Sequence, residues 1–239
     1  MDLKNKIAIV TGASMGIGKS IALALANQGA NVVLAARTLE KLKEAKEEID
    51  SLKGSCLIVQ TDLSREEQIL GLFDRTIREY GKLDIIINNA AIALAGEFLN
   101  CTSKDFDELI NVNLKSVYTC CQQALNIMLP QKSGVIINIS SNVAAKCYEK
   151  QAIYAASKCG VVGITKSIAN EFHKDGIMVA LIHPGGVDTR MATQARPDID
   201  RSLLIRPEDI ADTVLYMLGL SDTAWVDEIT VRRRAAKPF

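Results

Sequence analysis

The sequence predicts a doubly wound α/β fold, with a seven-stranded, mostly parallel sheet and helices on both of its faces. Three observations lead to this prediction. Short apolar runs of strand length alternate with longer helical segments as far as residue 231. A glycine-rich turn joins the first apolar run to the first helix. The central runs are almost continuously aliphatic, as expected of parallel strands that are buried on both faces.

Length and charge narrow the possible classes of protein. The 239 residues suit a single domain, 1–239, with a substantial core. The 28 basic and 28 acidic residues balance, so no overall field favours nucleic acid or an anionic membrane as a partner. The apolar run Ile7–Val10 is too short for a signal peptide or a membrane span. We therefore expect a cytoplasmic protein that contacts neither nucleic acid nor membrane.

The six cysteines form no C-x-x-C pair, and a cytoplasmic setting disfavours disulfides. We expect small thiols that are buried or half-buried. A metal site has little support, because only His173 and His183 could join the cysteines as ligands. We therefore predict no metal. The cysteines are Cys56, Cys101, Cys120, Cys121, Cys147 and Cys159.

A strand–turn–helix–strand unit opens the chain. Strand Lys6–Thr11 leads into the turn T-G-A-S-M-G-I-G, helix Ser20–Asn27 follows with Gly29 just past its end, and Asn31–Ala36 is the second strand. Glycines let a backbone approach a pyrophosphate, and the helix N-terminus offers free N–H groups. The spacing G-x-x-x-G-x-G is one residue longer in its first gap than the common fingerprint. The unit predicts a dinucleotide site; the alternative is a tight turn without a ligand.

The end of the second strand favours NADP(H) over NAD(H). An acidic side chain there would accept from the ribose hydroxyl of NAD, whereas an arginine accommodates the 2′-phosphate of NADP. No acid lies between Asn31 and Thr38, and Arg37 can hold a phosphate with two N–H groups. The alternative is that Arg37 is solvated and that Thr38 caps the next helix. The glycine turn adds no second basic residue, since Met15 precedes Gly16.

Polar residues follow the third and fourth strands. Asp62, after the third strand, is a candidate acceptor for an adenine amino group or, equally, a turn residue. Ser64 and Glu67 have capping-box spacing at the start of a helix that ends near Tyr80. Asn88 and Asn89 follow the fourth strand, at the sheet edge where such folds bind ligands, although they could simply stabilise a turn. The elements concerned are helix Glu40–Leu52, strand Ser55–Gln60 and strand Leu83–Ile87.

The second half continues the alternation. A long helix is predicted over Ser103–Leu129, stopped by Pro130. The fifth strand ends in Ser140-Ser141, and a helix carrying Tyr154 and Lys158 runs to about His173. The remaining elements are strand Gly134–Ile139, strand Ile177–Ile182, helix Pro207–Leu218 and strand Glu228–Val231.

Tyr154 and Lys158 are the candidate catalytic pair. At a spacing of four residues both side chains project from one face of the helix. An ammonium beside a phenol favours the phenolate, and so would lower a tyrosine pKa that is normally about 10. Tyr154 could then exchange protons near neutral pH. The alternative is an ordinary surface pair.

Four motifs occur in order: T-G-x-x-x-G-I-G, N-N-A, Y-x-x-x-K and P-G-x-V-x-T, the last being Pro184 to Thr189. With Asn113 and Ser141 they make nearly the whole chain resemble the short-chain dehydrogenase/reductase family, which has a Rossmann fold. The sequence looks most like bacterial 3-oxoacyl-(acyl-carrier-protein) reductases and similar NADP-dependent carbonyl reductases. Ser141, rather than Ser140, has the family's spacing before Tyr154.

The resemblance implies roles for these residues. Tyr154 would protonate the carbonyl oxygen, Lys158 would lower the tyrosine pKa and bind the nicotinamide ribose, Ser141 would donate to the substrate oxygen, and Asn113 would hold a relay water. The implied cofactor residues are Gly12, Ser14, Met15, Gly16, Ile17, Gly18, Arg37, Thr38, Asp62, Leu63, Asn89, Ala90, Ala91, Tyr154, Lys158, Pro184, Gly185, Val187 and Thr189.

Three features depart from the family's pattern. Ala91 replaces the glycine of N-N-A-G, and the segment Thr189–Pro207, normally a lid over the substrate, is short. The tail from Arg232 to Phe239 is basic instead of glycine-rich. The tail could contact an acidic carrier protein or a phosphorylated substrate, or it could pair with a neighbouring subunit or stay solvated.

The expected function is hydride transfer between NADP(H) and a carbonyl or secondary alcohol, with a 3-oxoacyl thioester or a similar ketone, free or carrier-bound, as substrate. One alternative is an NAD-dependent alcohol, sugar or steroid dehydrogenase. Another is a non-enzymatic NADP-binding regulatory protein. By resemblance we expect a homotetramer or a homodimer.

Overall fold

The structure, a computed structural model, describes residues 1–195 and 199–237. Seven strands form one sheet in the order β3-β2-β1-β4-β5-β6-β7, and every neighbouring pair is parallel. The sheet is therefore parallel throughout rather than mostly so. The strands are β1 (Ile7–Thr11), β2 (Asn31–Ala36), β3 (Ser55–Gln60), β4 (Ile85–Asn88), β5 (Gly134–Ile139), β6 (Ile177–Pro184) and β7 (Glu228–Val231).

Helices cover both faces of the sheet, as the sequence predicts. One apolar cluster joins one face to α1, α2 and α9, and a second joins the other face to α3, α5 and α7. The helices are α1 (Gly16–Asn27), α2 (Leu39–Ser51), α3 (Glu66–Tyr80), α4 (Ser103–Ile110), α5 (Ser116–Gln131), α6 (Val143–Lys146), α7 (Ala152–Phe172), α8 (Arg190–Ala195) and α9 (Pro207–Leu218). Among the described helices, none combines the length and apolarity needed to cross a bilayer.

The strand order places a switch point between β1 and β4. The chain builds β2 and β3 outward on one side of β1, then returns and adds β4 to β7 on the other side. The connections that follow β1 and β4 therefore lead to opposite halves of the sheet. Ligands bind at this position in open parallel sheets. The fold thus brings the residues after Thr11 and those after Asn88 to one edge.

Several predicted boundaries match, and others need correction. The bounds of β2, β3, β5, β7 and α9 are those predicted, and Gly29 follows α1 with φ 85°. However, α1 begins at Gly16 instead of Ser20, because the end of the glycine turn is already helical. The predicted capping box of Ser64 and Glu67 is wrong: Arg65 precedes α3, and no side chain caps this helix.

The predicted helix Ser103–Leu129 is interrupted. A π-helical turn, Asn111–Lys115, separates α4 from α5. Pro130 does not stop α5, which ends one residue later at Gln131. A proline near the end of a helix removes only one backbone hydrogen bond, and the left-handed Lys132 then turns the chain.

The last part of the chain carries the lid and the tail. In the segment Thr189–Pro207, α8 and a 3₁₀ turn at Arg201–Leu203 are described, while residues 196–198 lie outside the described part. The tail is described to Lys237, so Pro238 and Phe239 lie outside as well. Two cysteines, Cys147 and Cys159, are exposed, which corrects the expectation of buried or half-buried thiols.

Candidate active site

The glycine turn after β1 is packed too tightly for side chains. Gly12 and Gly16 have φ values of 68° and 55°, in the left-handed region that favours glycine. A Cβ atom on Gly18 would lie 2.4 Å from the carbonyl oxygen of Gly12 and 2.5 Å from Nδ2 of Asn89. The turn therefore keeps bare backbone at the start of α1, where the N–H groups of a helix attract phosphate.

Thr11 and Asn89 fix this turn to the end of β4. The Asn89 amide donates from Nδ2 to the Thr11 carbonyl oxygen at 2.9 Å, and the backbone N–H groups of Asn89 and Ala90 donate to the Thr11 hydroxyl at 2.9 and 3.1 Å. Asn88 points elsewhere: it is buried and donates to Asn138 at 2.8 Å. Only the second asparagine thus reaches the candidate cofactor crevice.

Arg37 and Asp62 stand at neighbouring strand ends, after β2 and β3. Arg37 is exposed and forms no ion pair with any residue in the described ranges. Asp62 has a turn role, because its Oδ1 accepts from the N–H and the hydroxyl of Ser64 at 3.0 and 2.8 Å. Burial works to raise the pKa of Asp62, but these hydrogen bonds and the charges of Arg37 and Arg65 hold it below its usual value.

Thr38 and Leu63 complete this part of the site. Thr38 occupies the cap position of α2 but makes no side-chain cap hydrogen bond, so its hydroxyl is not committed to the helix. Leu63 is buried beside Asp62. Both residues therefore lie at the edge where the sequence places the adenosine half of a cofactor.

Lys158 is buried beneath the candidate site. Its Nζ donates to the Ile139 carbonyl oxygen at 2.9 Å and lies 5.9 Å from the centre of the Tyr154 ring. Burial lowers the pKa of Lys158 to about 8. The ammonium thus connects α7 to the end of β5, directly before Ser140 and Ser141.

The pKa of Tyr154 differs from the sequence-based expectation. Burial of the hydroxyl raises it, and a hydrogen bond with Ser141 acts in the opposite direction. The expected lowering by Lys158 is absent, because the ammonium is directed to the Ile139 carbonyl and faces the ring instead of the oxygen. Tyr154 and Ser141 are the two groups that the sequence assigns to one substrate oxygen.

The two adjacent serines have different environments. The hydroxyl of Ser140 is buried and donates to the Lys158 carbonyl oxygen at 3.2 Å, which packs the end of β5 against α7. The Ser141 hydroxyl accepts from the N–H of Val143 at 3.2 Å and donates to Oδ1 of Asn142 at 3.5 Å. This difference agrees with the choice of Ser141 over Ser140 that the spacing indicates.

Asn113 lies in the middle of the π turn and is fully buried. Its Oδ1 accepts from the N–H of Ile92 at 2.8 Å, and its Nδ2 donates to the Ile92 carbonyl oxygen at 2.8 Å and to Ser157 at 3.2 Å. Single π turns inside α-helices occur frequently at functional sites. Here the turn holds the loop after β4 against α7, one residue before Lys158.

The motif after β6 closes the crevice from the opposite side. A Cβ atom on Gly16 would lie 3.0 Å from Cγ2 of Thr189, so the two loops touch. Val187 is buried and bridges to Ile205. The N–H of Gly185 donates to the Val231 carbonyl oxygen at 2.7 Å, which joins this loop to the basic tail.

Sequence reasoning missed a residue at this edge. The sequence suggests His183 only as a metal ligand, yet its buried ring lies 3.2 Å from the Ser141 carbonyl oxygen through Nδ1 and 3.0 Å from Glu228 through Nε2. Its position directly before the Pro-Gly turn, at the same sheet edge as Ser141, was the available signal.

Comparisons with known proteins identify the family. The model of the short chain dehydrogenase family matches residues 6–200. An uncharacterized oxidoreductase of Staphylococcus aureus (strain USA300) is 39% identical over 230 residues, covering 96% of this chain and 98% of the relative.

Two solved structures are similar over almost the whole chain. A metagenomic short-chain oxidoreductase in complex with NADP is 34% identical, with a TM-score of 0.87 and coverage of 99% of this chain and 100% of that one. An actinorhodin polyketide ketoreductase with NADPH is 27% identical, with a TM-score of 0.90 and coverage of 96% of each chain. The match to the family model and these likenesses show that the chain is an oxidoreductase and belongs to the short-chain dehydrogenase/reductase family.

Proposed function

We propose that this oxidoreductase uses NADPH to reduce a ketone to a secondary alcohol, and that it catalyses the reverse reaction with NADP. The observation that carries the proposal is that the buried Lys158, on the same helix as Tyr154, donates to the carbonyl oxygen of Ile139, two residues before Ser141. This bond brings the Tyr154 helix to the strand end that carries Ser141, where two hydroxyls can donate to the same carbonyl oxygen, the atom on which negative charge develops during reduction. The bare glycine turn and the start of α1 fit a pyrophosphate.

The residues of this chain have separate parts in the reaction. The nicotinamide supplies or accepts the hydride when it is bound. Ser141 donates a hydrogen bond that orients the substrate oxygen, and Tyr154 delivers its proton to that oxygen. Because burial raises the pKa of Tyr154, the phenol holds its proton at neutral pH, as reduction requires. Lys158 holds α7 against the end of β5 through the Ile139 carbonyl and would bind the nicotinamide ribose.

NADP(H) is favoured over NAD(H) because of Arg37. The guanidinium is exposed at the end of β2 and has no acidic partner among the described residues, so it is available to a 2′-phosphate. The solved relatives that hold NADP or NADPH are consistent with this preference. The remaining cofactor contacts are assigned to the residues that the sequence indicates, from Gly12 to Thr189.

The substrate proposed is a 3-oxoacyl thioester or a similar ketone, free or bound to a carrier. The resemblance to acyl-carrier reductases supports this class, and one similar structure is a polyketide ketoreductase. We further propose that the whole chain, 1–239, acts as one catalytic domain within a homotetramer or homodimer. Gel filtration with light scattering tests the assembly.

A substrate and cofactor panel tests the function. The purified protein is mixed with NADPH or NADH and with ketones that include acetoacetyl thioesters, and the absorbance of the reduced cofactor is followed. The matching alcohols are tested with NADP and NAD. We expect ketone reduction with NADPH to be fastest. Absence of turnover with every ketone by folded protein that binds NADPH would refute the reductase assignment.

Tyr154→Phe provides the matched control, since it removes one oxygen and keeps the ring. Turnover should fall about 10²- to 10⁴-fold, while the affinity for NADPH, measured by fluorescence titration, stays the same. Turnover that survives this substitution would remove Tyr154 from its proposed role.

A further inference from the structure

The basic tail leaves the sheet at the edge where the candidate site lies. Strands β6 and β7 are parallel, and their register pairs Pro184 with Val231, so both chains continue past the carboxyl edge of the sheet side by side. The N–H of Gly185 donates to the Val231 carbonyl oxygen at 2.7 Å. The first tail residues therefore lie beside the motif that follows β6.

Hydrogen bonds hold the tail in a compact turn. The Arg232 guanidinium donates from Nη1 to three carbonyl oxygens further along the tail, at 2.8 to 3.3 Å, so this side chain is committed to its own backbone. Lys146, on the short helix that follows Ser141, donates from Nζ to the Lys237 carbonyl oxygen at 3.2 Å. The tail thus extends from the end of β7 to the segment after Ser141.

The Arg233 side chain lies against Gly186, in the middle of the motif after β6. A Cβ atom on Gly186 would lie 3.5 Å from Cδ and 3.6 Å from Nε of Arg233, and 3.2 Å from Cδ2 of Leu204 in the lid segment. The motif, the lid segment and the tail therefore meet at this glycine. Its missing side chain leaves the space in which Arg233 lies on the backbone of the motif.

Gly186 stands between the two halves of the candidate site. On one side, the Pro184 carbonyl oxygen accepts from the N–H of Asn142 at 2.9 Å, and Asn142 directly follows Ser141. On the other side, Thr189 touches the glycine turn. The chain from Pro184 to Gly186 spans at most ~7 Å. A guanidinium on Gly186 is therefore within reach of a small molecule whose carbonyl group is bound at Ser141.

Arg233 is half-buried, and within residues 1–195 and 199–237 its side chain forms neither an ion pair nor a hydrogen bond. The acidic residue of the motif, Asp188, is already held by Arg201 through two hydrogen bonds at 2.9 and 3.0 Å. Moving a cation out of water costs free energy unless an anion pairs with it. Arg234, the next residue, is exposed. Of these two arginines, Arg233 has the position that favours an anionic ligand.

We propose that Arg233 determines specificity by binding a carboxylate or phosphate group of the ketone substrate, remote from the reacting carbonyl. A planar guanidinium can donate two parallel hydrogen bonds to either anion. That the ligand is a ketone rests on the proposed function, whereas the binding of an anion by Arg233 does not.

Matched ketones with and without an anion test this subsite. 6-Oxoheptanoate is compared with its methyl ester for the carboxylate, and acetoacetyl-coenzyme A with acetoacetyl-N-acetylcysteamine for the phosphate. We expect Arg233→Gln to raise KM about ten- to a hundredfold for the anionic member of at least one pair, with kcat and the neutral members unaffected. The pair that responds identifies the anion. Arg233→Lys should restore part of the loss, and Arg234→Gln, the control, should behave as the wild-type protein.

Binding without turnover separates the subsite from the reductase assignment. 6-Oxoheptanoate and coenzyme A are each added to the full-length protein without NADPH, and saturation-transfer NMR reports the bound probe. Binding that Arg233→Gln abolishes, without turnover of any ketone, would support the subsite and refute the reductase assignment. Ketone turnover with the same KM values in wild type and Arg233→Gln would overturn the subsite and leave the reductase standing. Without turnover, equal binding of both probes to the two proteins would overturn the subsite as well.

Discussion

The ammonium of Lys158 donates a hydrogen bond to the carbonyl oxygen of Ile139 at 2.9 Å, and this bond joins α7 to the last residue of β5. The Lys158 side chain is almost completely buried, since the residue is only 3% exposed. Burial of an ammonium favours its neutral form, and the pKa of Lys158 is accordingly about 8, below the ordinary value of 10.5.

Because of Lys158, the free energy of unfolding should rise as the pH increases. Between pH 8 and 10.5 the folded protein releases the Lys158 proton while the unfolded chain retains it, so the free energy of unfolding rises with pH. Relative to Lys158→Met, the wild-type protein should gain up to about 3 kcal/mol across this window. Urea titrations of both proteins at pH 7.5 and pH 10 measure the gain. A constant difference between them would contradict the lowered pKa.

Arg37 should discriminate between the two cofactors. Arg37→Gln removes charge-assisted hydrogen bonds to the 2′-phosphate, so NADPH binding should weaken about ten- to a hundredfold while NADH binding is unchanged. Fluorescence titration with each cofactor gives the two affinities. Arg65→Gln is the matched control, because Arg65 is also exposed and also near Asp62 but pairs with Glu67. An equal loss for NADPH and NADH, or an equal loss in the control, would refute the assignment.

Gly18 should not tolerate a methyl group. In Gly18→Ala the new Cβ would overlap the Gly12 carbonyl oxygen, so we expect a loss of about 2–3 kcal/mol in the free energy of unfolding together with weaker NADPH binding. Gly71→Ala is the control within a helix. Nothing lies within 4 Å of the position of its Cβ, and it should stabilise α3 by about 0.5–1 kcal/mol. Denaturant unfolding that gives the same sign for both variants would contradict the close packing of the turn.

The stability of the protein should depend on an amide side chain at position 113. In Asn113→Asp the carboxylate cannot donate to Ile92 and is fully buried, so the free energy of unfolding should fall by about 2–3 kcal/mol at neutral pH. The loss should shrink toward acidic pH, since a protonated carboxyl group can donate. Asn111→Asp is the control in the same turn, because Asn111 is only half-buried and its side chain makes a single hydrogen bond within the described residues, to the Ser64 carbonyl oxygen. A similar loss at both positions would mean that burial of Asn113 is not the cause.

The parts of the fold that depend on local sequence could be predicted. The bounds of β2, β3 and β5 follow from short apolar runs between turn residues, and the glycine turn is recognisable from its spacing. The parallel order follows from the alternation of strands and helices. The positions of Asn89 and Ser141 could be predicted in the same way, because each directly follows an apolar run that forms a strand.

Contacts between residues distant in the chain could not be predicted. The π turn lies where the Asn113 amide forms hydrogen bonds with the backbone of Ile92, and no local sequence pattern predicts this contact. The pKa of Tyr154 depends on where Lys158 points, which the Ile139 carbonyl decides. The contact of His183 with Glu228 requires β6 and β7 to be neighbours in a definite register, which becomes visible only in the assembled sheet.

The π turn at Asn111–Lys115 also restricts how the chain can change in length. Deleting one residue there would let α4 and α5 join into a single regular helix with all of its backbone hydrogen bonds, so the helix itself would lose nothing. The residues before the deletion would, however, turn by about 100° relative to those after it, and Asn113 could no longer face Ile92. The buried amide of Asn113 thus restricts the number of residues in the segment between β4 and β5. A regular helix would accept an insertion or deletion in the π turn, but the contact of Asn113 with Ile92 excludes it.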